Sequence, residues 1–213
     1  MTRNNPHNPE TPAPGTGEGA PDATADSGAG GPDAVAEAAA RGTDHAAAAD
    51  LPPVILVMGV AGSGKSTIGR ILARRLGRDY EEGDDFHSPE NVAKMADGTP
   101  LTDEDRRPWL REIAAWLRDR VESGHPVVIS CSALKRSYRE MLGAGEDMLI
   151  VYLDGAQATI EARMRSRMGH FFQAELLNSQ FHDLEPPGPD EALVVSIEGT
   201  PSEIAERIVT ALR

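Results

Sequence analysis

Residues 59–66 read GVAGSGKS and fit the spacing G-x-x-x-x-G-K-[ST]. The chemistry this allows is anion capture. Gly59, Gly62 and Gly64 can take backbone angles that a Cβ forbids, so successive N–H groups, those of Val60, Ala61 and Ser63 included, can turn inward around phosphate oxygens. Lys65 would meet the β and γ phosphates, the Ser66 hydroxyl would ligate Mg²⁺, and Thr67 continues the same turn. A run of apolar residues precedes the loop and a helical pattern follows it, which points the positive end of a helix at the same anion. The ligand expected is a nucleoside triphosphate with magnesium.

A phosphate loop alone does not choose between a mechanical ATPase, a GTPase switch and a small-molecule kinase. No N-K-x-D guanine reader occurs, and the stretch VVISCSALK puts Ser130, Cys131 and Ser132 where many ATPases carry an aspartate. The stretch GDDFH sets Asp84, Asp85 and His87 at another strand end, on the γ-phosphate side of the loop. Phosphoryl transfer needs a group that orients or deprotonates the attacking hydroxyl, and a carboxylate there suits it. Adjacent residues of an extended chain face opposite ways, so one of the two aspartates is the expected base, and Asp84 is chosen. Cys131 is expected to be a buried structural thiol, because in-line transfer needs no covalent step.

The elements that must position these groups alternate. Strands are expected at 53–58, 79–82, 127–130, 149–153 and 193–197, with helices starting near Lys65, Asp103, Lys135 and Ala156 and a last one over 201–212. Thr102 is the expected N-cap of the best-marked helix, with Asp103, Glu104 and Asp105 in its first turn, and Trp109, Ile113, Trp116, Leu117 and Val121 forming one apolar stripe that reads as core. This predicts an α/β fold of P-loop NTPase type, three layers α/β/α, with a five-stranded parallel sheet, helices on both faces and a mobile lid. Ligands should collect at the carboxyl ends of the strands.

Residues 1–50 differ from the rest. They contain one Val and no Leu, Ile, Phe, Tyr or Trp, and they hold eight acidic and two basic residues. Such a composition buries too little apolar surface to offset the entropy of ordering, so a disordered acidic tail is expected before a kinase domain over 51–213. The net charge of −13 argues against a nucleic-acid partner. No signal-like or membrane-spanning stretch occurs, and the single cysteine excludes an internal disulfide, so a cytoplasmic protein with no membrane partner is expected.

The motifs GVAGSGKS, GDDFHSPENVAKMADGTPLTDEDRRPWL, CSALKRSYR and RMRSRMGHFF…LLNSQFHDLEPP together resemble the gluconokinase family, small P-loop kinases that phosphorylate D-gluconate with ATP. The resemblance runs collinearly over residues 53–213 and departs at Ser88, where proline is expected after the histidine. It implies 6-phospho-D-gluconate as product. Gluconate is a polyol ending in a carboxylate, so its site needs cations and hydrogen-bonding groups. The chain has only three lysines, Lys65, Lys94 and Lys135, each inside one of these motifs, whereas cations elsewhere are arginines. Lys94 and Lys135 are therefore candidate substrate contacts beside Asp84 and His87. Arg106 either takes a substrate anion or pairs with Asp103. Arg163 and Arg167 lie one helical turn apart and resemble lid arginines that close over the transferring phosphate, and His170 beside them joins the substrate set. The alternatives are a kinase of another polyol or carboxylate such as shikimate, and a nucleotide-binding regulator without turnover. A homodimer is left open.

Overall fold

A computed structural model describes residues 51–168 and 174–213, with Arg167 and Met168 described in their backbone only. The expected tail over 1–50 and His170 lie outside the described residues.

Five strands alternate with helices: β1 Val54–Met58, β2 Asp79–Glu82, β3 Val127–Ser130, β4 Met148–Asp154 and β5 Leu193–Ser196. The helices are α1 Lys65–Leu76, α2 Pro89–Ala96, α3 Asp103–Glu122, α4 Arg136–Leu142, α5 Gln157–Met168, α6 Ala174–Asp183 and α7 Pro201–Ala211. All strand pairs are parallel and the order is β2-β3-β1-β4-β5. β1 lies at the centre, so the loop that leaves its carboxyl end emerges beside the ends of β3 and β4.

The apolar alternation of β1 divides the core. Ile55 and Val57 face a cluster built with Ile68 and Leu72 of α1 and Ile204 and Ile208 of α7. Val54, Leu56 and Met58 face Trp109, Leu110 and Ile113 of α3 and Tyr138 and Leu142 of α4. A strand apolar on both faces needs helices on both faces, and the three-layer expectation holds. Burying each such Leu or Ile is worth about 1.5–3 kcal/mol relative to exposure. No helix among the described residues is long and apolar enough to cross a membrane.

Helix α3 begins as expected. Thr102 Oγ1 accepts the Asp105 N–H while the Asp105 carboxylate accepts the Thr102 N–H, a reciprocal capping box. The helices α2 and α6 were not expected. The first is started by Ser88, whose hydroxyl accepts the Asn91 N–H, with Pro89 at the first helical position. Ser88 thus supplies a side-chain cap that a proline at this position could not.

Candidate active site

The phosphate loop closes tightly against its surroundings. Gly62 has φ +79°, and a Cβ placed on it would stand 2.5 Å from Met164 of α5. Gly64 caps α1 with φ 103° and Lys65 is the first helical residue. Lys65 Nζ donates to the Val60 carbonyl at 3.1 Å, so the lysine folds over its own loop.

After β2 the chain enters a 3₁₀ turn over Gly83–Phe86. Gly83 passes so near β3 that a Cβ would lie 2.5 Å from the Ser130 carbonyl oxygen. Trp109 Nε1 donates to the Gly83 carbonyl at 2.7 Å, and the Trp109 ring stacks on His87 with centroids 4.1 Å apart and planes 17° apart. Lys65, Ser66, Asp84, His87, Arg106, Trp109, Ser132 and Gln180 come together around a polar cavity of about 240 Å³. Burial lowers the His87 pKa below its ordinary value despite the nearby Asp84 charge, and Arg106 adds to the lowering.

The reason given above for separating Asp84 from Asp85 needs correction. Both are on a helical turn rather than an extended strand, and it is that turn that brings Asp84 to the cavity. Trp109 also does more than fill the core, since it lines the cavity and fastens the acidic turn.

Glu82 was missed. Its carboxylate accepts hydrogen bonds from the Ser130 hydroxyl and from Tyr80 Oη, the latter at 2.7 Å, and the Ser66 hydroxyl lies near it. Burial raises its pKa, but these three hydroxyls and the Lys65 charge lower it more, so the net position is below the ordinary carboxylate value. The signal was the strand-end position itself, two residues before Asp84. A hydroxyl and an ionised carboxylate side by side form an oxygen donor pair of the kind Mg²⁺ takes.

The candidate substrate cations are already paired. Lys94 Nζ binds Asp105 Oδ1 at 2.7 Å on the far side of the capping box, so Met95 rather than Lys94 reaches the cavity. Lys135 Nζ binds Asp103 at 2.7 Å and Asp183 at 3.8 Å. Arg106, 8% exposed, pairs not with Asp103 but with Asp183 at 2.7 Å, and its Nη1 also donates to Tyr138 Oη at 3.2 Å. Arg106 lines the cavity, whereas Lys94 and Lys135 do not.

Arg163 stands elsewhere. Its guanidinium donates to the Ile197 carbonyl at 2.9 Å, and it lines a second cleft with Gly62, Ser63, Gly64, Thr67, Gly199 and Pro201. Arg163 thus lies beside the phosphate loop and does not line the cavity of Asp84. The Arg167 side chain is outside the described residues.

The wall opposite Asp84 is shaped by the turn after β3. Ala133 has φ 44°, a conformation costing a non-glycine residue about 1–3 kcal/mol, and its neighbours Ser132 and Leu134 line the cavity. Arg139, 1% exposed, holds this turn by donating to the carbonyls of Ala133, Leu134 and Glu185 while its guanidinium pairs with Glu191 at 2.5 Å. Cys131 is fully buried, and burial with the Asp84 charge pushes its pKa up to about 12, so it is an inert thiol.

Known proteins are similar to this chain in sequence and fold. A family model described as shikimate kinase matches residues 61–212. The chain is 48% identical to the gluconokinase of Gluconobacter oxydans, over 74% of this chain and 90% of that protein. It is 44% identical to a probable gluconokinase of Mus musculus, over 77% of this chain and 100% of that one. Among solved structures, a gluconokinase from Sinorhizobium meliloti is 43% identical with TM-score 0.68, covering 76% of this chain and 92% of that chain.

Proposed function

Since this chain belongs to the gluconokinase family of P-loop kinases, a domain that the shikimate kinase family model also matches, we propose that it transfers the γ-phosphoryl group of ATP to D-gluconate, forming 6-phospho-D-gluconate and ADP. The observation that carries the reading is one cavity lined together by Lys65, Ser66 and Asp84, which joins the phosphate loop to a carboxylate for an acceptor hydroxyl. Shikimate is not favoured, because the relatives at 44–48% identity over nearly their whole length are named gluconokinases.

The triphosphate is held by N–H groups of the phosphate loop other than those of Gly59, Ala61 and Ser63, which already donate to Ser132, Gln180 and Val60, and the Lys65 ammonium offsets charge that builds on the β and γ oxygens. Ser66 and Glu82 are the residues that would hold Mg²⁺, which supplies neutralisation of the phosphate oxygens when bound. Asp84 accepts the hydrogen bond of the attacking hydroxyl and takes its proton as the new P–O bond forms. His87, neutral because of its burial, offers one ring nitrogen to a polyol hydroxyl. Arg106 lines the cavity, and a substrate carboxylate reaches it by sharing or replacing Asp183. Arg163 stands beside loop residues Gly62, Ser63 and Gly64. Residues 51–213 form the catalytic unit and residues 1–50 an appendage that takes no part in it.

The experiment is a substrate panel of gluconate, shikimate, glycerate and nucleoside monophosphates with ATP, followed by ADP release. Gluconate should be the preferred acceptor. A nucleotide-binding regulator without turnover would release no ADP with any of them.

A further inference from the structure

Helix α6 crosses the mouth of the cavity and contributes Leu176 and Gln180 to its lining. Gln180 is half-buried, and its Oε1 accepts the Ala61 N–H of the phosphate loop at 2.6 Å. The identity of that donor fixes the orientation of the amide. An N–H can be accepted only by the oxygen, so Nε2 with its two N–H donors is the end left over, and it makes no hydrogen bond among the described residues. The helix itself is pinned on both sides of this residue. Asn178 Oδ1 accepts Gln157 Nε2 of α5 at 2.6 Å, and Asp183 holds Arg106 of α3 at 2.7 Å.

A rigidly placed pair of N–H donors, tethered to the loop whose N–H groups face phosphate, is suited to an oxyanion and not to another donor. We propose that Gln180 is a catalytic residue of the phosphoryl transfer: its oxygen holds the loop at Ala61 and its NH₂ group donates to the oxygens of the phosphoryl group in flight, opposite Lys65. Charge on those oxygens redistributes as the group passes between nucleotide and acceptor, and donors fixed before the reaction stabilise that arrangement without reorganising. Gln180 lies inside the motif LLNSQFHDLEPP, but its loop partner is 119 residues away, so the sequence alone did not give it this role.

The inference rests on the kinase reading, and the test separates the two. Gln180→Glu keeps an acceptor for Ala61 N–H but loses both donors, and Gln180→Met loses acceptor and donors together. Turnover with gluconate and affinity for ADP with aluminium fluoride, a mimic of the phosphoryl group in transfer, are measured beside affinity for ADP alone and melting temperature. Both variants should lose about a hundredfold or more in turnover and a comparable factor in aluminium fluoride complex affinity, with ADP affinity and melting temperature kept. A loss below about tenfold in Gln180→Met, or a loss matched by an equal fall in ADP affinity, overturns the proposal. If the parent chain does not phosphorylate gluconate, the kinase reading fails, and the aluminium fluoride affinities still decide the role of Gln180.

Discussion

Trp109 Nε1 donates its hydrogen bond to the carbonyl oxygen of Gly83 at 2.7 Å, and through it the long helix α3 grips the turn that carries Asp84. The same indole supports His87 by stacking. One side chain of the core thus sets two groups of the cavity.

Trp109→Phe keeps an aromatic face for His87 but leaves the Gly83 carbonyl without its donor. The expected cost is about 1–3 kcal/mol of stability, together with a fall in turnover larger than the fall in ATP affinity. Denaturant unfolding and steady-state kinetics check this. Unchanged turnover would mean that the turn holds Asp84 without help from α3.

The cavity accounts for a pH effect as well. His87 has a folded pKa below its ordinary value of 6.5, with Asp84 and Arg106 as the charged groups facing it. Below that value the unfolded chain takes up the proton more readily, so stability is full above about pH 6.5 and is lost as pH falls toward the lower folded value. Urea midpoints from about pH 7.5 to pH 5 should therefore fall more steeply in the parent than in His87→Gln. Equal slopes would show that His87 does not carry the effect.

Glu82 and Asp84 should separate by metal dependence. Glu82→Gln is expected to weaken apparent Mg²⁺ affinity, with turnover recovering at high Mg²⁺, because its carboxylate stands beside Ser66. Asp84→Asn should lose roughly a hundred- to ten-thousandfold in turnover, keep ATP binding and show little recovery. A magnesium titration of both variants decides it. Recovery of Asp84→Asn to near-parent turnover would move that residue into the metal shell.

The strands, the phosphate loop and the capped start of α3 were legible because each has a local cause: an apolar run, glycines at fixed spacing, a threonine three residues before an aspartate. The site was legible in part. Asp84, His87 and Arg106 do share one cavity, but the pairing of Lys135 with Asp103, of Lys94 with Asp105 and of Arg106 with Asp183 depends on how three helices approach one another, which no local pattern encodes. Glu82 was hidden for a related reason. Its meaning comes from the hydroxyls of Ser66 and Ser130, which the first turn of α1 and the end of β3 deliver. Helix α2 was overlooked although its start is marked by Ser88 as cap and Pro89 as first residue.

Removal of residues 1–50 should leave melting temperature and turnover unchanged. Arg78 fastens the start of the domain by donating to the carbonyls of Leu51, Pro52 and Pro53, so the new terminus stays anchored. A clear drop in melting temperature after truncation would show that the segment packs on the domain.

Lys65→Ala addresses the phosphate loop directly. Losing the ammonium that lies over the loop should lower turnover by about a hundredfold or more with the fold intact. Circular dichroism and a coupled ADP assay check it, and parent-like turnover would contradict the nucleotide assignment.

The most direct test of the whole account follows phosphorus in a mixture of the chain, ATP, Mg²⁺ and D-gluconate by ³¹P NMR. One 6-phosphogluconate resonance should grow for each ADP formed, with no ADP when gluconate is omitted and none of comparable rate with shikimate. ADP that appears without a phosphorylated gluconate, or faster phosphorylation of shikimate, would contradict it.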